Sequence, residues 1–351
     1  MPKKFHYNPM LRWKAGEQGA LANLSSKSGI TPFILLQREQ YAATKSPPKK
    51  PRKRVPKTPP LAAADVFVGQ ADKAWGAERF FLDASDLPAT PSGHHLDQIS
   101  AAARAAGLQI VPAISLSGDA AYRGAVERMA ATDGRGVALR VSFDQMASAT
   151  SWSGSWFAAP SDTDLIVDLG NSIASMAGAH SLAIAAFSAL HRGERWRSVT
   201  VAGGSIPPML TGYKIGETPL ARYELDFWTA ISGASLPYSL DFGDYATIAP
   251  DALNLDVEGS FPVNAKYTIG RQFLIYHGVR PRGVKGVPMQ DQLRNYARTI
   301  HKRPGRGPLA NCWGDIQIDK IATSGASPGS PGVWVKYSVN RHIELTRANL
   351  P

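Results

Sequence analysis

GDAAYRGAVERMAATDGRGVALRVSF, Gly118 to Phe143, is the stretch on which the fold turns. An apolar helical pattern runs through it and halts at Asp133-Gly134, glycine after the last apolar position being the usual helix stop. A short β-rich run then carries Arg140 to its far end. One helix closed by glycine and followed by one apolar strand is a single α/β step. The fold depends on how often that step recurs.

It recurs along most of the chain. Strand-like runs rich in β-branched and aromatic residues are ITPFILL (Ile30 to Leu36), RFFLD (Arg79 to Asp83), LQIVPAIS (Leu108 to Ser115), GVALRVS (Gly136 to Ser142), DLIVD (Asp164 to Asp168), SVTVAGG (Ser198 to Gly204), PYSLD (Pro237 to Asp241) and AKYTIGRQFLIYH (Ala265 to His277). Between them lie LDQISAAARAAG, AAYRGAVERMAATDG, SLAIAAFSALHRG and LARYELDFWTAISGA, helical in composition and ended by glycine or by glycine and alanine. Strands that alternate with helices build parallel sheets, and eight such units are the content of a (β/α)8 TIM-like barrel. A doubly wound open sheet is the competitor, but no Gly-rich phosphate fingerprint follows the first strand. The expected fold is therefore an α/β barrel over residues 30–307, with a 1–29 entry segment of loop and short helix. A basic Pro/Lys/Arg insertion at about 44–62 follows the first strand, and a 308–351 tail reads as β-rich and packed on the barrel.

With 351 residues, the chain is long enough for one large core. Its single cysteine, Cys312, excludes an internal disulfide framework and points to a reducing cytoplasm. The start lacks an apolar signal region, and no stretch reaches the roughly 20 apolar residues that cross a bilayer, so no membrane partner is expected. The net charge of +11 is local: Lys45 to Lys57 and Val279 to Arg306 each carry +7, leaving about −3 for the remainder. Such patches attract polyanions in a salt-dependent way, and solvated linkers share the same composition. Lys49, Lys50, Arg52, Lys53 and Arg54 are the candidate nucleic-acid contacts.

On a barrel, side chains at the C-terminal ends of the strands converge. Those ends are Gln37, Asp83, Ser115, Arg140, Ser142, Asp168, Ser205, Asp241, Asp244, Tyr245 and His277. Asp168 ends the most apolar strand, where a lone carboxylate is costly, so it pairs with Arg140 or faces a ligand or metal. Asp241 and Asp244 flank Gly243 and either share a cation or cap a turn, with Asp244 and Tyr245 as the outward pair. Gly203, Gly204 and Ser205 offer backbone N–H groups to an anion, or simply turn the chain. In the tail, Trp313, Asp315, Asn340 and His342 line the mouth if that segment folds over it, with His342 as general base. Cys312 lies in no thiol-activating motif, His94-His95 reads as a capping loop, and Glu17 either belongs to an opening motif with Lys14 or caps its own helix.

YNPMLRWKAGEQGAL, WRSVTVAGGSIP, FGDYATIAP, AKYTIGRQFLIYHG, NCWGDIQIDKIA and VWVKYSVNRHI, in this order, resemble the beta-protein family of bacteria and phages over nearly the whole chain. The resemblance implies a prophage- or mobile-element-associated protein in defence-like gene neighbourhoods, and it brings no reaction with it. Gln37 stands where the resemblance puts a glutamate, so catalysis is not assigned to that strand.

Two functions follow. One is a recognition module that binds a polyanion or a phage or host component. The other is a metal-assisted hydrolase or phosphodiesterase acting on nucleic acid or nucleotide, with Arg140 clamping phosphate and Asp168 and Asp244 serving a divalent metal or acid and base roles.

Overall fold

The computed structural model describes residues 5–42, 62–190, 195–251 and 261–351. The expected basic contacts Lys49, Lys50, Arg52, Lys53 and Arg54 lie outside them. In chain order the described strands are β1 (Tyr7–Arg12), β2 (Phe33–Leu35), β3 (Phe80–Asp83), β4 (Ala89–Thr90), β5 (Gly93–His94), β6 (Ile110–Ser115), β7 (Val137–Val141), β8 (Thr163–Asp168), β9 (Ser198–Gly203), β10 (Gly216–Ala221), β11 (Leu240–Asp244), β12 (Asn264–Ile269) and β13 (Gln272–His277). The α-helices are α1 (Ala15–Leu21), α2 (Arg38–Ala42), α3 (Ala63–Ala74), α4 (His95–Ala105), α5 (Ala120–Asp133), α6 (Phe143–Ala147), α7 (His180–Ala189), α8 (Tyr223–Ser232), α9 (Met289–Lys302), α10 (Trp313–Thr323) and α11 (Pro331–Asn349).

Eight strands close a barrel in the order β1-β11-β9-β8-β7-β6-β3-β2, every neighbour parallel. Parallel strands wrapped by helices are buried on both faces, which is why they read as unbroken apolar runs. Met10, Phe33, Phe81, Val111, Ala113, Ala138, Ile166 and Ala202 form one cluster. Their sequence neighbours Leu11, Ile34, Leu82, Ile110, Leu139, Leu165 and Val201 join a second, larger cluster with the helices. This is the period-two alternation of a strand with two apolar faces.

The opening stretch behaves as read. The Asp119 carboxylate accepts the N–H groups of Ala121 and Tyr122 at 2.9 and 3.2 Å and so starts α5, and Gly134 ends it in the left-handed region at φ 63°. Gly136 then takes φ 73°, and a Cβ there would lie 2.1 Å from the Asp162 carbonyl oxygen, so the approach to β7 admits only glycine.

The composition of the ring departs from expectation at two places. AKYTIGRQFLIYH is not the eighth barrel strand. It folds as the hairpin β12-β13, with β10 added antiparallel on the far side of β13, in a separate sheet. Gly270, at φ 51°, lies in its two-residue turn, and so short a connection imposes antiparallel pairing that a parallel barrel cannot use. The missing strand is β1, placed by the sequence reading in an entry loop; all six of its residues are buried, between β11 and β2. The barrel thus begins at Tyr7 rather than at residue 30.

The tail is the second correction, because 308–351 folds as α10 and α11 and not as strands. α11 buries Trp334, Tyr337 to Thr346 and little else, so nearly its whole circumference is covered and its polar residues are paired rather than solvated. That hides the helical period. From this helix, Val339 and Ile343 join the main barrel cluster, while Trp334 and Tyr337 join a smaller core with β12, β13, α9 and α10. Among the described residues no helix is long and apolar enough to cross a membrane.

Candidate functional site

Strand ends β1, β2, β3, β7 and β8 and the turn after β11 meet at a cleft of about 310 Å³ lined by Arg12, Gln37, Asp83, Arg140, Asp168 and Tyr245, among others. Arg140 ends its strand between two acids, 3.4 Å from Asp83 and 3.9 Å from Asp168. The expected Arg140–Asp168 pairing is present, with Asp83 as the nearer partner. Asp168 accepts the Tyr245 hydroxyl at 2.5 Å and the Gly170 N–H at 2.9 Å. Burial lifts its carboxyl above the ordinary range, against the opposing pull of Arg140 and these hydrogen bonds. Across the cleft Arg12 donates to the Pro250 carbonyl at 3.1 Å. Arg12 was not legible as a site residue, since its strand was not recognised; the only signal is its place at the end of YNPMLR. Asp86 and Asp251 complete the rim, so four carboxylates face two guanidiniums.

Asp244 and His342 come together, but not at this mouth. The two meet at 2.7 Å, and Arg222 reaches the same carboxylate at 3.1 Å. Tyr7 donates to Asp244 at 2.7 Å, Thr268 lies 2.9 Å from the other ring nitrogen of His342, and Phe273 stacks on that ring at 5.4 Å. Arg222, Asp244 and His342 are each no more than 1% exposed. Burial opposes ionisation of Asp244, but His342 and Arg222 outweigh it and hold the carboxyl near 2, while burial lowers His342. This network joins β1 and β11 of the barrel to α11, β12 and β13. A base sealed there cannot touch a ligand, so the expected catalytic roles of Asp244 and His342 are replaced by a structural one.

Other expected residues are also accounted for by packing. Asp241 and Asp244 lie three apart within one strand, so they project to opposite faces and do not form a carboxylate pair. The Gly204 N–H donates to the Gly170 carbonyl at 3.0 Å, and Ser205 bonds Glu224 and the Tyr223 N–H. Gly203 and Gly204 are glycines because Ile173 and Pro250 pack where their Cβ atoms would be, so Gly203, Gly204 and Ser205 offer no open anion nest. Asp315 accepts from Arg341 and Tyr267, each at 2.7 Å, in the smaller core, and Trp313 packs on Tyr337. His277 bonds Asn264 within the hairpin. Cys312 is buried and its thiol pushed up to about 12 by that burial; His94 caps α4 as read.

Val279 to Arg306 presents the other candidate surface. Arg303 pairs with Glu217, and Arg306 is buried against Asp315 and Asp319. Arg280, Arg282, Lys285, Arg298 and Lys302 are exposed and Arg294 half-buried, and among the described residues none of these six forms an ion pair. On α9 the residues Leu293, Tyr296, Ala297 and Ile300 face the core. Arg294, Arg298 and Lys302, four apart, therefore make one cationic stripe on the other side.

Glu17, in the first turn of α1, is 1% exposed, and burial raises its carboxyl to about 7. An acid raised on folding stabilises the native state below its unfolded value near 4.5 and loses that contribution as pH rises through 7. Replacing Glu17 with glutamine is therefore expected to gain stability relative to wild type as pH climbs from about 4.5 to about 7, by about 1.4 kcal/mol per unit of displacement. Paired urea titrations across that range check it. A difference independent of pH would show that Glu17 ionises normally.

The chain belongs to the beta-protein family, whose profile matches residues 7–346. No curated protein matches the sequence.

Proposed function

We propose that this member of the beta-protein family is a recognition protein for nucleic acid, gripping the phosphate backbone from a basic face without reading sequence. The observation that carries this is the set Arg280, Arg282, Lys285, Arg294, Arg298 and Lys302, unpaired among the described residues. Cations without acidic partners keep their full attraction for phosphates and release counterions when they bind. The other +7 segment, Lys45 to Lys57, lies outside the described residues and supports the same reading by its composition alone. The mouth itself, with four carboxylates against two arginines, repels a phosphate chain and suits a neutral, hydroxyl-bearing portion of a ligand.

Filter binding of DNA and RNA at about 50 and 200 mM salt tests the reading. Affinity is expected to fall steeply between the two. Changing Arg294, Arg298 and Lys302 together to serine should reduce the log–log salt slope by about 2 to 3, since each phosphate contact contributes roughly 0.9. Absence of salt-sensitive affinity for either polymer would sink the proposal and leave a protein partner, from phage or host, for this face.

A second reading, metal-assisted hydrolysis of nucleic acid or nucleotide, has one observation in its favour: Asp83 and Asp168 both lie at the mouth within reach of Arg140, with Asp168 shifted up. Arg140 occupies the space between them, and among the described residues no three His, Cys, Asp or Glu side chains are grouped to hold a metal. Polymer that is shortened in the presence of Mg²⁺ or Mn²⁺ by wild type, but not by Asp168→Asn, would favour this reading over simple recognition.

A further inference from the structure

A larger cleft of about 540 Å³ lies where the start of α11 and the β12 strand meet β1, α1 and the loop after β11. Ile248, Ala265, Trp334 and Val335 give it apolar walls, and Glu17, Lys14, Lys266 and Arg12 supply its charges. The Glu17 Oε1 atom is buried and has no hydrogen-bond partner. A buried carboxyl oxygen left unmatched is costly, so it marks a place for a donor from outside the chain. Lys266 spends one N–H on the Thr247 carbonyl at 2.9 Å, which leaves two donors on its ammonium. Glu17 and Lys266 both line the cleft and form no ion pair with each other.

We propose that this cleft is a nucleobase site that selects the lactam edge of guanine or uracil, with N–H donated to Glu17, C=O accepting from Lys266, and Arg12 drawing the attached phosphate. A planar ring suits the apolar walls, and the volume lies within the ordinary range of small-molecule sites, about 300–1,000 Å³. Against the ionised Glu17 carboxylate, adenine and cytosine present the reverse pattern, an amino group toward Lys266 and a bare ring nitrogen toward Glu17, and are rejected because both protein groups are then left unpaired. The inference rests on residues distinct from the basic face and stands or falls separately from it.

Isothermal titration of the full chain with GMP, UMP, AMP and CMP decides it. GMP and UMP are expected to bind at least about tenfold more tightly than AMP and CMP, the usual scale for one mismatched polar pair. Glu17→Leu, which removes the acceptor that Gln would keep, and Lys266→Met should each erase that preference. Arg294→Ser/Arg298→Ser/Lys302→Ser should leave it intact, which separates this site from the phosphate grip. A thermal melt confirms that each variant is folded, and if Glu17→Leu fails to fold, the Lys266→Met result alone is decisive. Equal affinity for the four nucleotides, an unchanged preference in the variants, or no binding at millimolar concentration would each overturn the proposal.

Discussion

Replacement of Asp244 by alanine is expected to destabilise the fold by about 3–5 kcal/mol, the scale for removing one partner of a buried ion pair. The Asp244 carboxylate receives Tyr7, His342, Arg222 and the Ala246 N–H, and its loss leaves the Arg222 guanidinium in a dry interface with Glu224 as its remaining acidic partner. The damage also reaches two elements at once, because Tyr7 belongs to β1 of the barrel and His342 to α11. Urea denaturation at neutral pH measures the effect. A double variant, Asp244→Leu with Arg222→Met, should recover part of the loss, since an apolar pair of similar volume needs no compensating charge. A loss below about 1 kcal/mol for Asp244→Ala would mean that water reaches the network.

Changing Lys49, Lys50, Arg52, Lys53 and Arg54 together to serine is expected to weaken nucleic-acid binding by about a hundredfold at low salt and to reduce the salt slope by up to about 4.5, five contacts at roughly 0.9 each. The stretch KSPPKKPRKRVPK has Val55 as its only aliphatic residue, too little apolar surface to support a core of its own. Thermal stability should therefore stay within about 0.5 kcal/mol of wild type, the ordinary range for surface changes. Filter binding at two salt concentrations, with a parallel melt, reads both. If affinity and slope are unchanged, the α9 stripe holds the polymer alone and the segment is a solubilising insertion.

Seven of the eight barrel strands could be read from sequence, because a strand buried on both faces needs an apolar run whatever its neighbours are. Arg140 and Asp168 were legible for a related reason: a charge at the end of such a run must find a partner, and consecutive strands supply one. The eighth strand was not legible. Tyr7 to Arg12 carries asparagine, proline and arginine, and it is a barrel strand because β11 and β2 lie on either side of it. AKYTIGRQFLIYH, with better strand composition, is excluded from the ring by its two-residue turn.

The sequence by itself determined the repeating α/β plan, the helix end set by Gly134, and the separation of excess positive charge into two short regions. Each is a local property, settled by backbone geometry, apolar period or composition over a few residues. Only the tertiary structure decided which polar residues face a ligand. His342 looked available as a base, yet it lies 98 residues along the chain from the Asp244 that holds it, in a helix whose polar side chains are buried because their partners come from β11, β12, α10 and α1. Glu17 looked like a helix cap and proves to be a buried carboxyl on the wall of a cleft. Desolvation and pairing depend on what surrounds a side chain from every direction, and no local pattern of residues records that.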